Sequence, residues 1–113
     1  MTDTIADLPT TWALLAQAIS ERRPVRARYH GHERLLCSHL LGWKRGRAKV
    51  LAFQADGDTT QGELSHEPSQ RWRSLFVDEI ENPAITHEPW ATAPNYSLDT
   101  NAIDRITLAI QPP

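Results

Sequence analysis

The spacing of hydrophobic positions changes period twice along the chain. Trp12, Leu15, Ala16 and Ile19 recur at i, i+3, i+4 and i+7, which predicts one short amphipathic helix, capped by a threonine of Pro9-Thr10-Thr11 and stopped before Pro24. Beyond Pro24 the period drops to two. Val25, Ala27 and Tyr29 alternate with Arg26, Arg28 and His30, a strand with one apolar and one basic face. A two-residue turn at Gly31-His32, with glycine first as a type II′ turn prefers, would set Tyr29 opposite Arg34 and His30 opposite Glu33. The next strand, 33–41, loses its alternation at Leu35-Leu36-Cys37, so it is buried on both faces or bent, and a small barrel would do both. Gly42 and Lys44-Arg45-Gly46-Arg47 mark a turn into a third strand over 48–54, completing a meander. Residues 55–70 read as a long loop and 72–77 as a strand, with a short turn at Asp78-Glu79-Ile80 and a brief strand over 84–86. The pattern then weakens among Pro89, Pro94 and Asn95, until 105–110 alternates enough for an added edge strand or a contact to a second subunit.

Length and composition narrow the class. At 113 residues the chain can bury one modest core, which argues against multi-step enzymes. No stretch approaches the roughly 20 apolar residues of a membrane span, and the acidic start, with Asp3 and Asp7, is unlike a secretion signal. A cytoplasmic protein is expected. The single cysteine, Cys37, excludes an internal disulfide and a multi-thiolate zinc site.

Charge is unevenly placed. The net charge of −2 conceals a central stretch, 22–73, with eleven of the twelve basic residues and five acids, whereas 74–113 has Arg105 and six acids. Ten of the twelve are arginine, whose planar donor fork suits phosphate, carboxylate and base edges, although such residues also serve simply to solvate strands.

Candidate chemistry is sparse. His30 and His32, and Cys37 and His39, lie two apart, but neither pair has the spacing of a structural zinc site, and no metal or other cofactor is expected. Cys37 beside Leu36 reads as an inert core thiol. No phosphate loop or hydrolase elbow is present, and no enzyme is expected. Trp12 is assigned to the core. Trp43 precedes Lys44-Arg45 and Trp72 lies between Arg71 and Arg73, a basic-aromatic interleaving that suits stacked bases and bound phosphates as well as ordinary packing.

The order Arg23-Pro24-Val25, Arg28-Tyr29-x-Gly-x-x-Arg34, His39-Leu40-Leu41-Gly42, Gly46-Arg47, Val50-Leu51-Ala52-Phe53 and Trp72-Arg73-x-x-x-Val77-Asp78-x-Ile80 resembles the WYL domain family, in its stand-alone, WYL-like form. The resemblance implies a mainly β fold, a small, strongly bent, five-stranded Sm-like or SH3-like barrel behind a short N-terminal helix. It covers about residues 13–85, so a domain over 1–87 is followed by an extension over 88–113, extended or an edge strand, with a possible subunit contact. It further implies a bacterial, regulatory, ligand-sensing module that binds nucleotide or single-stranded nucleic acid in an arginine and aromatic groove. Tyr29, Arg34 and Arg73 match the family's groove positions, and His39 lies near them. The name-giving tripeptide falls at Lys49-Val50-Leu51, retaining only its leucine, and a late arginine is replaced by Glu79. With no DNA-binding segment in this sequence, such a module would sense alone, act through a partner, or have lost its ligand.

Two functions remain open at this level. In one, a basic face of Tyr29, Arg34, His39, Lys49, Trp72 and Arg73 holds a nucleotide or short single-stranded nucleic acid. In the other, edge strands and the C-terminal segment dock a protein partner or a second copy as a homodimer, and the acidic tail folds over the arginines.

Overall fold

The computed structural model describes residues 8–59 and 62–111. Helix α1 (Leu8–Glu21) precedes strands β1 (Val25–Tyr29), β2 (His32–Lys44), β3 (Arg47–Gly57), β4 (Trp72–Phe76), β5 (Ile80–Ile85) and β6 (Arg105–Ala109). The protein is mainly β with one short helix, and the six strands form one antiparallel sheet in the order β4-β3-β2-β1-β5, with β6 also on β2. No ladder joins β4 to β5 among the described residues, so the sheet is open.

The helix starts earlier than its apolar spacing suggests. Pro9 sits in the first turn, where a backbone N–H has no helical partner to lose, and Thr10 and Thr11 therefore lie inside α1 rather than capping it. Its end is marked by Arg22 at φ 54°, with the amides of Arg22 and Arg23 closing onto the carbonyls of Ile19 and Ala18. Leu15, Ala18 and Ile19 enter the core, while Trp12 packs at the rim against Trp43, ring centroids 5.3 Å apart.

The first hairpin corrects the expected turn by one residue. His30 and Gly31 occupy the turn with φ of 50° and 82°, the two positive values of a type I′ turn, which suits the right-handed twist of the flanking strands. Tyr29 consequently pairs with His32, and Arg34 with Ala27. The partner of each β1 residue moves by two positions, an even number, so Tyr29 and Arg34 stay on one face as the pattern required.

β2 organises the sheet. One edge pairs along most of its length with β3, while the other passes from β1 to β6. Two bulges bend the β2–β3 ladder, one placing Ala55 and the other His39 as the extra residue. Residues 34–42 are all buried, which explains the broken alternation: the helix side covers one face, and the segment after β5 covers the other. Gly42 permits that covering, because a Cβ there would collide with the Arg105 carbonyl oxygen and lie 2.6 Å from Ile103 Cγ2. Tyr96, Ile103 and Ile110 of the C-terminal segment belong to the same core cluster as Leu15, Leu40 and Val50.

Candidate functional site

Side-chain alternation on β3 and β4 sorts the candidate residues onto two faces. Phe53 and Gln54 are neighbours on β3, and Trp72 and Arg73 on β4, so each pair points to opposite sides of the sheet. Trp72 packs edge-on against Phe53, with centroids 5.6 Å apart, and Arg73 Nε donates to Gln54 Oε1 at 3.2 Å. The six candidates therefore do not form one groove.

On the Gln54 face, Tyr29, Arg34 and Arg73 converge. Arg34 is 3% exposed, donates through Nη2 to the Tyr29 carbonyl at 3.2 Å and through Nη1 to Gln54 Oε1 at 3.5 Å, and lies 5.4 Å from the centre of the Tyr29 ring. Its Nε is buried with no hydrogen-bond partner. Arg73 shares the Gln54 oxygen and donates through Nη1 to the carbonyls of Gln70 and Trp72. Gln54 is fully buried, and its amide nitrogen is committed to the carbonyls of Asp56 and Asp58. Neither guanidinium forms an ion pair with a carboxylate among the described residues. Burial, and then the positive charge of Arg73, hold Arg34 below its ordinary pKa, and burial followed by Arg71 does the same for Arg73. Two mutually repelling cations thus meet on one neutral amide oxygen.

Four of the six acids over 74–113 are engaged elsewhere. Asp78 and Glu79 accept from Arg47 at 2.8 and 3.2 Å, Glu79 also meets His30 at 2.7 Å, Glu81 lies 4.0 Å from Arg28, and Asp104 pairs with Lys44 at 3.2 Å. Tyr29 Oη accepts from the Phe76 amide at 3.0 Å and reaches Glu79 at 3.4 Å, so its hydroxyl is tied to the β4–β5 connection.

Lys49 stands apart from the arginine pair. It lies on the Phe53 side of β3, opposite Phe76, with Nζ 4.7 Å from the Phe76 ring centre and Arg47 3.7 Å from the same ring.

His39 and Trp72 form a second cluster. As the bulged residue of β2, His39 turns under Trp72, Trp90 and Tyr96, with centroids 4.7, 4.9 and 4.8 Å away. Its Nδ1 faces the Cys37 carbonyl at 2.7 Å and its Nε2 faces Thr92 Oγ1 at 2.8 Å. Trp72 donates from Nε1 to Asn95 Oδ1 at 2.8 Å and stacks on Tyr96. Cys37 is fully buried, and desolvation raises its thiol pKa to about 11, so it is a thiol at neutral pH.

Burial, against a hydrogen bond to the Cys37 carbonyl, lowers the His39 pKa to about 4. As pH falls the unfolded chain takes up this proton first, so the contribution of His39 is complete above about pH 6.5 and is lost toward pH 4, on the order of 3 kcal/mol in all. Urea unfolding at about pH 7.5, 5.5 and 4.5 checks this. His39→Gln is expected to be less stable at neutral pH but to show a flatter loss on acidification.

Of the further residues in these clusters, Gln54 carries a sequence signal, whereas Thr92, Trp90 and Tyr96 carry none that places them. Gln54 sits in an apolar strand, and the other three lie where periodicity fails. A polar amide inside an otherwise apolar strand was the available hint, since such a group needs buried partners.

Among the described residues no group of three or more histidine, cysteine or acidic side chains is placed to hold a metal ion, and no helix is long and apolar enough to cross a membrane. Comparison of the chain with known protein families, curated proteins and solved structures finds no match.

Proposed function

We propose that this protein is a non-enzymatic, cytoplasmic binding module of the WYL-like kind, in which Arg34 and Arg73 hold a phosphate of a nucleotide or short single-stranded nucleic acid. The observation that carries the reading is the meeting of these two guanidiniums on Gln54 with no carboxylate between them. A guanidinium buried without a counter-charge costs several kcal/mol, a cost that an arriving anion offsets. Arginine supplies parallel donors matched to phosphate oxygens, and the buried, unpartnered Nε of Arg34 leaves uncompensated positive charge behind them. Arg73, the more exposed of the pair, makes the first contact, with Arg34 behind it strengthening the local positive potential.

The two bulges that bend the β2–β3 ladder, at His39 on β2 and Ala55 on β3, favour the Sm-like or SH3-like, barrel-type reading of the sheet. Trp72 lies on the opposite face, so base stacking adds little at this site, and affinity follows phosphate charge more than base identity. The docking alternative has less support. β6 already pairs with β2 of its own chain, and four acids that would cover the arginines are paired with Arg28, His30, Lys44 and Arg47.

Fluorescence anisotropy with a labelled single-stranded oligonucleotide, and competition by mononucleotides, tests the proposal. Saturable binding that weakens with salt is expected, and Arg73→Ala should weaken it about tenfold and reduce the salt slope by about one. A flat response at low salt, or an Arg73→Ala variant that binds as the parent does, would overturn it.

A further inference from the structure

The opposite face of the sheet holds a cavity of about 340 Å³, walled by the rings of His39, Trp90, Tyr96 and Pro94, with Thr92, Ala93, Ile110 and Gln111 completing it. Its size suits one or two fused rings, and apolar walls with a few convergent polar groups are the usual make-up of a small-molecule site. The hydrogen bond between His39 and Thr92 has a definite direction. A carbonyl oxygen only accepts, so the contact of His39 Nδ1 with the Cys37 carbonyl requires the proton on Nδ1 and leaves Nε2 as an acceptor in the neutral ring. The Thr92 hydroxyl must then donate its single hydrogen to Nε2, at 2.8 Å, which leaves the lone pairs of Oγ1 for a donor from within the cavity. The depressed pKa of His39 keeps this arrangement in place at neutral pH. Among the described residues no Asp, Glu, Lys or Arg side chain lines the cavity.

The geometry points to a second binding site, for a flat, uncharged heteroaromatic molecule that stacks against Trp90 and Tyr96 and donates an N–H to Thr92 Oγ1. A charged ligand would be desolvated there with no counter-charge in the lining, a cation would also meet the field of Arg22 that acts on His39 and Tyr96, and an aliphatic ligand would forfeit the ring contacts. The site is independent of the arginine pair, which lies on the Gln54 side of the sheet.

Indole and benzofuran, which match in shape but differ in the N–H, are the probes. In amide-resolved NMR titrations of the full chain, indole is expected to give saturable shifts at Thr92, Ala93, Gln111 and the Trp90 side chain, with benzofuran about fivefold weaker. Thr92→Val should bring indole down to the benzofuran level. Should that variant not fold, Trp90→Leu replaces it and should weaken both probes about fivefold. Shifts that do not saturate, shifts scattered over the surface, equal binding of the two probes, or a discrimination that survives Thr92→Val would each overturn the assignment. An unchanged response to both probes in Trp90→Leu would do so as well.

Discussion

A chain ending at residue 87 is expected to lose its cooperative thermal transition. The segment after β5 buries Ala93, Tyr96, Ile103 and Ile110 against the sheet and supplies β6, which pairs with β2 from Leu40 to Trp43. Burying a side chain the size of isoleucine or tyrosine stabilises by about 1.5–3 kcal/mol, so three of them alone amount to about 5 kcal/mol or more, comparable to the whole stability of a small domain. Polar contacts are lost too. The Ile110 amide donates to the His39 carbonyl at 2.8 Å, the Asp104 amide to the Trp43 carbonyl at 2.8 Å, and Tyr96 Oη to the Ile110 carbonyl at 2.6 Å. Cys37, Phe53 and the His39 ring would face water, and one edge of β2 would be open for pairing with another chain. Differential scanning calorimetry and near-UV circular dichroism of the truncated and full chains measure the effect. A sharp transition near that of the full chain would show that the core closes without this segment. Tyr96→Phe isolates one contact within it and should cost about 1 kcal/mol in urea unfolding.

Arg34→Met is expected to separate stability from binding. Methionine matches much of the arginine stem and carries no charge into the site that Arg73 already makes positive. An unpaired buried charge carries a desolvation penalty of several kcal/mol that an apolar group of similar volume removes, against the loss of the Arg34 bond to the Tyr29 carbonyl, and no carboxylate is left unpaired by the change. The Gln54 oxygen keeps its bond from Arg73. Stability in urea should therefore rise by about 1 kcal/mol, while affinity for a phosphorylated ligand falls by about threefold to tenfold as the positive charge behind Arg73 disappears. If Arg34→Met unfolds the protein, the side chain is a structural support of the β1–β2 turn rather than half of an anion site. If it is stable and binds as before, Arg73 alone carries the ligand. The salt dependence of Arg73→Ala, measured beside it, tells these cases apart.

Much of the architecture was legible in local pattern. Helical spacing from Trp12 to Ile19, period-two alternation in β1 and glycines at the two hairpins specify a helix followed by an antiparallel meander, because these signals act within one turn of helix or one pair of strands. The basic character of the middle of the chain, and Tyr29 and Arg34 on a common face, were also contained in it, since an even shift of register leaves faces unchanged. What the sequence could not decide depends on contacts between distant segments. The division of Arg73 from Trp72 follows from the strand they share, but its consequence, one face holding Gln54 and Arg34 and the other holding His39, required the packing of β3, β4 and β2. Residues 89–104 have no regular period because they lie across a sheet whose shape governs where each side chain lands, so the roles of Trp90, Thr92 and Tyr96 arise only when that surface exists. Local periodicity reports which side of an element is buried, whereas a site assembled from segments some 20 to 60 residues apart is set by the tertiary structure that brings them together.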